Sequence, residues 1–314
     1  MNKKTQAIVE GSLLVGIAVI IFWLSYFIFP FFFLCSLPFL FLSYRWGLRI
    51  SFISLIISLI ISILFLTPLN VFFLFFPSGV LGIILGFGIR NNLSLGRLFF
   101  LGGSINLILE ILTILGGMFL LNIPFEKALG IDIMKDSWRN SLSFLKSFLD
   151  ENSIKDLSEN YNQIFNFLNI VIPSILIISS FFQVIFNYWI AQKILQRFKV
   201  NIRPIPSLET LKIPIKLLNI LLIMLLISFF ISYFLPLGVN IFNNFVFLLQ
   251  FLLITEGFFV LWSFLKNFIY SKIIRILIIF LFIFNPLLTF LLFIVGTIDI
   301  FYPIREKFLM REKI

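Results

Sequence analysis

Residues 97–121 read RLFFLGGSINLILEILTILGGMFLL, and this stretch decides what kind of protein the chain is. A helix that crosses a bilayer needs about 20 predominantly apolar residues, and here only Arg97, at the start, and Glu110, near the middle, are charged. Gly103, Asn106, Glu110, Thr113 and Gly117 recur at spacings of 3, 4, 3 and 4, so a helix places all five on one face. Lipid tails give an apolar face no reason to hide, and small or polar stripes are what transmembrane helices use to approach and bond one another. The stripe therefore faces protein or water. An acid at mid-span costs about 2.5–3.5 kcal/mol even on lenient insertion scales. Glu110 is accordingly expected to be protonated, paired or water-facing, and reads as a ligand- or proton-handling residue ahead of a purely structural one.

The rest of the chain repeats this character. Of 314 residues 61% are hydrophobic and 12% charged, whereas a soluble domain carries roughly a quarter charged residues. Apolar stretches fall at 7–29, 31–43, 50–66, 71–89, 97–121, 170–192, 215–235 and 241–265, separated by turn chemistry such as Pro30, Thr67-Pro68 and Pro236-Leu237-Gly238. The expected fold is an all-α polytopic membrane protein of about eight spans. Residues 273–300 follow as a C-terminal hairpin turning at Asn285-Pro286.

Lys and Arg gather at one side: Lys3 and Lys4, Arg45 and Arg49, Arg90 and Arg97, the run from Lys193 to Lys216, then Lys266, Lys272 and Arg275. The positive-inside rule places both termini in the cytoplasm, the C-terminus through Arg305, Lys307, Arg311 and Lys313. The +10 net charge is then orientation bias and not a nucleic-acid surface. The expected organisation is a six-helix core at 1–192 with an outer amphipathic loop at 122–169, a basic cytoplasmic connection at 193–214, and further transmembrane helices at 215–314. Within the outer loop Trp138, Leu142, Leu145 and Leu149 form one amphipathic stretch behind Ser137. Ile154, Leu157, Tyr161, Ile164 and Leu168 form a second behind Ser153. Both are expected to lie at the outer membrane surface.

Other stripes accompany the first. Residues Ser180, Gln183, Asn187 and Ala191 share a face in the sixth span, and Gly79, Gly82 and Gly86 mark a close-packing face in the fourth. The eighth span has Asn243, Gln250 and Gly257 on one face and Glu256 about 100° away, a second intramembrane acid. No Lys or Arg stands at comparable depth, which leaves both acids without an evident counter-charge. Asn106, Glu110, Thr113, Gln183 and Asn187 are the expected binding set for a small molecule. Ala7 and Gly11 make a small-xxx-small pair suited to close helix contact, the expected docking face for a partner.

Absences narrow the function. There is no His, so His-based acid/base and triad chemistry is excluded. The single Cys35 cannot form an internal disulfide or a thiolate cluster. No phosphate-binding loop, G-x-S-x-G or H-E-x-x-H occurs, so neither enzyme activity, cofactor nor metal is expected.

Several short motifs in order carry a family resemblance: Glu10-Gly11-Ser12-Leu13-Leu14, Tyr44-Arg45-Trp46-Gly47-Leu48, Asn187-Tyr188, Pro204-Ile205-Pro206, and Gly296-Thr297-Ile298-Asp299 followed by Arg305. The chain resembles the YybS-like bacterial membrane proteins known as DUF2232, themselves distantly similar to the six-helix S components of energy-coupling-factor transporters. The resemblance implies a bacterial inner-membrane protein whose core binds a small molecule and whose transport is energised by a partner. It also leads to a Gln before the glycine of the eighth helix and a His after it, where this chain has Glu256 and Trp262. The other expectation is a membrane scaffold for envelope or cell-division proteins, in which the polar stripes only join helices.

Overall fold

The computed structural model describes residues 2–129, 131–145, 148, 150–200 and 202–305. Leu149, Lys307, Arg311 and Lys313, used above, lie outside them. Among the described residues there is no strand. In chain order, besides a single turn at Phe125–Ala128, the helices are α1 (Lys3–Phe27), α2 (Leu37–Trp46), α3 (Leu48–Ser62), α4 (Pro68–Arg90), α5 (Leu95–Leu121), α6 (Ile131–Leu145), α7 (Glu151–Arg197), α8 (Ile215–Phe234), α9 (Pro236–Phe268), α10 (Lys272–Phe284) and α11 (Pro286–Phe301). A 3-10 turn, Phe29–Leu34, precedes α2.

By length and composition α1, α4, α5, α7, α8 and α9 can cross a membrane, and α10 with α11 makes a seventh if the bent pair is one span. The protein is an all-α polytopic membrane protein, but two of the eight expected spans are short. Residues 31–43 break at Cys35-Ser36, because Pro38 has no N–H to donate and is tolerated only in a first helical turn, which sets the start of α2 at Leu37. Helix α3 stops after 15 residues, roughly 22 Å at 1.5 Å per residue, against a hydrocarbon thickness of about 30 Å.

The chain divides into two compact units, Met1–Phe165 with Ile175–Pro204, and Asn166–Ser174 with Ile205–Ile314. In the first, Phe22, Phe39 and Phe75 are fully enclosed, with Phe22 stacked on Phe75 at 4.5 Å. Of the glycine stripe of α4, Gly79 faces the Leu55 side chain of α3, and Gly82 and Gly86 lie directly on the backbone at and just before α2. A Cβ on Gly82 would stand 2.0 Å from Ser36 O, and one on Gly86 would stand 2.2 Å from Leu40 O. Ser43 Oγ completes this seam by donating to Ile83 O at 2.7 Å. Near the start of α4 a π-helical turn, Val71–Phe75, contains the carbonyl of Phe73 that the ring of Pro77 would otherwise strike.

The outer segment departs from expectation. Helix α6 begins at Ile131, so Ser137 is inside it and bonds back to Ile133 O at 2.8 Å instead of capping it. The cap of α7 is Asp150, not Ser153, its carboxylate accepting from Ser153 N at 3.4 Å and Ser153 Oγ at 2.6 Å. The second amphipathic stretch is no separate surface helix but the first part of α7, which runs 47 residues without interruption. Trp138 of α6 stacks on Tyr161 of α7 at 4.7 Å, so these two apolar faces cover each other.

Pro173 stands inside α7, and in the second unit Asn244 of α9 repairs the ladder beside it. The amide that would ordinarily bond to Ile170 O is Ser174 N, which donates instead to Asn244 Oδ1 at 3.0 Å, while Asn244 Nδ2 donates to Ile170 O at 2.7 Å. One side-chain amide thus replaces one backbone bond. Helices α9 and α11 touch backbone to backbone, since a Cβ on Gly257 would lie 1.9 Å from Leu292 O and one on Gly296 would lie 1.9 Å from Leu253 O. The 273–300 segment breaks at Asn285, whose side chain caps α11 through Leu287 N and Leu288 N. Its arms diverge at 101° rather than folding back fully, and Thr289 Oγ1 ties them by donating to Phe282 O at 2.8 Å.

Candidate functional site

In the first unit the stripes of α5 and α7 meet. Glycine permits the approach: a Cβ on Gly103 would fall 2.6 Å from the ring of Phe181, and one on Gly102 would fall 3.2 Å from Val184. Asn106, a turn further along α5, then shares its Nδ2 between Glu110 Oε1 and Gln183 Oε1, at 2.8 Å to each. Gln183 accepts from Asn187 Nδ2 through its backbone carbonyl at 2.8 Å. Asn187 Oδ1 accepts from Ser36 Oγ at 2.5 Å. At the other end Glu110 Oε2 accepts from Ser180 Oγ at 2.8 Å and from Ser179 Oγ at 3.4 Å. The result is one continuous polar chain, Ser36–Asn187–Gln183–Asn106–Glu110–Ser180, through an otherwise apolar bundle.

The two ends differ. Ser36, Asn187, Gln183, Asn106 and Ser180 are all buried, whereas Glu110 is half-buried and its other donor, Ser179, is exposed. Beyond Glu110, Thr113 is half-buried, and around Gly117 no atom stands within 4 Å of where a Cβ would be. The carboxylate therefore sits where a sealed polar chain opens. Of the expected binding set, Asn106, Glu110, Gln183 and Asn187 are joined, and Thr113 makes none of these bonds. Ser180 was visible in its stripe. Ser36 was not, because nothing in the apolar connection between α1 and α2 distinguishes it until the glycines of α4 fix that backbone.

Ala7 and Gly11 are both buried, and a Cβ on Gly11 would meet Ser54 Oγ at 3.5 Å. The close helix contact that these residues suit is made with α3 of the same chain.

A second cluster overturns the expectation that Glu256 has no counter-charge. Arg305, fully enclosed, donates through Nη2 to Glu256 Oε1 and, at 2.8 Å, to Asp299 Oδ2, and through Nη1 to Leu211 O. Arg305 N also donates to Asp299 Oδ1 at 3.0 Å, and Ile213 N to Glu256 Oε2 at 2.9 Å. The glycine contact makes this possible, because Glu256 adjoins Gly257, and Asp299 lies three residues, about one helical turn, beyond Gly296. Arg305 lies beyond the last apolar segment, where sequence alone reads it as a cytoplasmic flank and not as a counter-charge. The available signal was the Gly296–Asp299 run with Arg305. Asn244, not Asn243 of the expected stripe, is the amide of α9 that joins Ile170 and Ser174.

Residues 15–300 match the model of a family of predicted membrane proteins, DUF2232, and the chain belongs to that family. The match extends from within α1 to the end of α11 and takes in the whole Glu110 cluster. No curated protein and no solved structure compared with the chain gave a match.

Proposed function

We propose that this chain is a non-catalytic multi-pass protein of the bacterial inner membrane that binds a small molecule at Glu110 and takes part in its transport, with a partner supplying the energy. The observation that carries the reading is the position of Glu110. Four polar neighbours are closed off behind it, and it alone among the chain's acceptors presents a carboxylate that is only half-buried. A carboxylate held there by Asn106, Ser179 and Ser180 suits a cationic or hydrogen-bond-donating group, which gains more from a pre-oriented acceptor in a low-dielectric site than in water. The sequence has no phosphate-binding loop, so transport driven by nucleotide hydrolysis at such a loop would need a second chain.

The scaffold reading has an observation in its favour as well: Ser36, Asn187, Gln183 and Asn106 satisfy one another, as interhelical glue does. Purification from native membranes followed by denaturation and small-molecule mass spectrometry separates the two. The transport reading expects one molecule recovered reproducibly with the protein. A consistently empty protein that brings envelope proteins with it supports the scaffold instead.

A further inference from the structure

Helices α1 and α3 leave a groove of about 820 Å³ on their shared outer face. Glu10 holds Trp46 Nε1 at 2.7 Å and Arg45 at 3.0 Å while Phe22 stacks on Phe39, so α1 runs antiparallel to α2; α3 turns back along α2 after Gly47 and therefore runs parallel to α1, with Gly11 facing Ser54. The groove follows α1 from Lys4 to Ile20, roughly 24 Å at 1.5 Å per residue and most of the ~30 Å hydrocarbon thickness. Ile8, Ile53, Ile57 and Phe65 line it, and so does Gly16, where a Cβ would meet nothing within 4 Å.

The two ends of this groove are chemically unlike. At the Ile20 and Phe65 end the chain has no charged residue anywhere from 11 to 44 or from 50 to 89. At the other end Lys4 lines the groove, Arg49 precedes its lining residue Ile50, and Lys3 adjoins. Arg90 stands close by, with Nη1 2.7 Å from where a Cβ of Gly47 would be. Glu10 is the one acid on these segments, and it is already engaged by Arg45 and Trp46. Among the described residues Lys3, Lys4 and Arg49 form no ion pair.

A long apolar trough ending in uncompensated cations matches an amphiphile with a hydrocarbon tail and an anionic head. We propose that this groove is a binding site for an anionic membrane phospholipid, with an acyl chain along Gly16, Ile53 and Ile57 and the phosphate at Lys4. The site is independent of the Glu110 reading. Cations near an anionic lipid surface favour it by about fivefold each, so selectivity for head charge is measurable.

The test exchanges the purified full chain into detergent with equimolar phosphatidylglycerol and phosphatidylcholine and counts retained lipid by native mass spectrometry. The wild type is expected to retain phosphatidylglycerol about fivefold or more over phosphatidylcholine. Gly16→Leu places a side chain in the open groove and should lose both lipids, while Lys4→Gln should keep retention and lower the preference about fivefold. Should Gly16→Leu not fold, the wild-type preference and its roughly fivefold fall in Lys4→Gln remain decisive. Equal retention of the two lipids by the wild type, or wild-type retention by a folded Gly16→Leu, overturns the proposal. So does a dimer of this chain that Gly16→Leu dissociates, since a second copy would then occupy the groove.

Discussion

Arg305 closes on Glu256, a carboxylate 49 residues earlier in the chain, and neither side chain is more than 2% exposed. Asp299 shares the same guanidinium nitrogen, and Leu211 and Ile213 bring the backbone of the 205–214 connection onto the pair. Removing one partner of a buried ion pair strands a charge and costs about 3–5 kcal/mol, whereas replacing the whole group by apolar residues can be nearly neutral. Arg305→Met is therefore expected to lower the unfolding temperature in detergent sharply. The triple change Arg305→Met, Glu256→Gln, Asp299→Asn should recover a substantial part of that loss. A single variant as stable as wild type would contradict the clamp.

Gly257 and Gly296 hold α9 and α11 at backbone contact. A methyl group at either position would stand 1.9 Å from a carbonyl oxygen of the facing helix, which cannot swing away as a side chain would. Gly257→Ala and Gly296→Ala should each destabilise by about 1–3 kcal/mol or more. Gly16→Ala, which meets open space, should be nearly silent. Melting curves of the three variants in one detergent check the contrast.

Asn244 takes the place of a backbone bond beside Pro173. Asn244→Leu keeps the branched skeleton but leaves Ser174 N and Ile170 O without that amide. Interhelical side-chain bonds in membranes average about 0.6 kcal/mol and reach about 1.7, and the upper value is expected here because two buried backbone groups are left at once. Hydrogen exchange at Ser174 should rise in the variant, and an unchanged rate would show that the amide is not needed.

Much of this was legible in advance. Composition and stretch length suffice for the membrane class, because no arrangement of so few charges covers a soluble surface. The spacing of Asn106, Glu110, Gln183 and Asn187 places them on two faces that have no reason to meet lipid, and these faces do meet. Helix ends were harder: Ser153 and Ser137 have the right chemistry for caps, but Asp150 and the apolar start at Ile131 compete for the same turns. Long-range partners were out of reach. Ser36 finds Asn187 and Arg305 finds Glu256 only because glycines on α4, α9 and α11 let backbones approach, which periodicity within one helix cannot disclose.

The cap at Asp150 is expected to respond to pH. Hydrogen bonds from the Ser153 hydroxyl and amide hold its carboxyl below the ordinary aspartate range. A group whose pKa is depressed on folding contributes stability that is present above its unfolded value and lost as pH falls through the folded one. The start of α7 should therefore fray only in strong acid, seen as faster amide exchange at Ser153 and Ile154. Ser153→Ala should move that transition up toward the ordinary aspartate range, and an identical pH profile in the variant would contradict the cap.

The central claim is that Glu110 is the ligand-facing end of the polar chain, and its carboxylate can be changed with little change of shape. Glu110→Gln keeps one acceptor oxygen, for Asn106, and turns its amide nitrogen toward the Ser180 hydroxyl, which can accept from it, while removing the charge; Glu110→Leu removes charge and hydrogen bonding together. The direct measurement is the affinity of each variant, confirmed folded, for the small molecule recovered from the wild-type protein, taken across a range of pH. The account predicts that Glu110→Gln weakens binding or abolishes its pH dependence and that Glu110→Leu abolishes binding. Wild-type affinity in both variants at every pH would contradict it and leave Glu110 as a bond between α5 and α7.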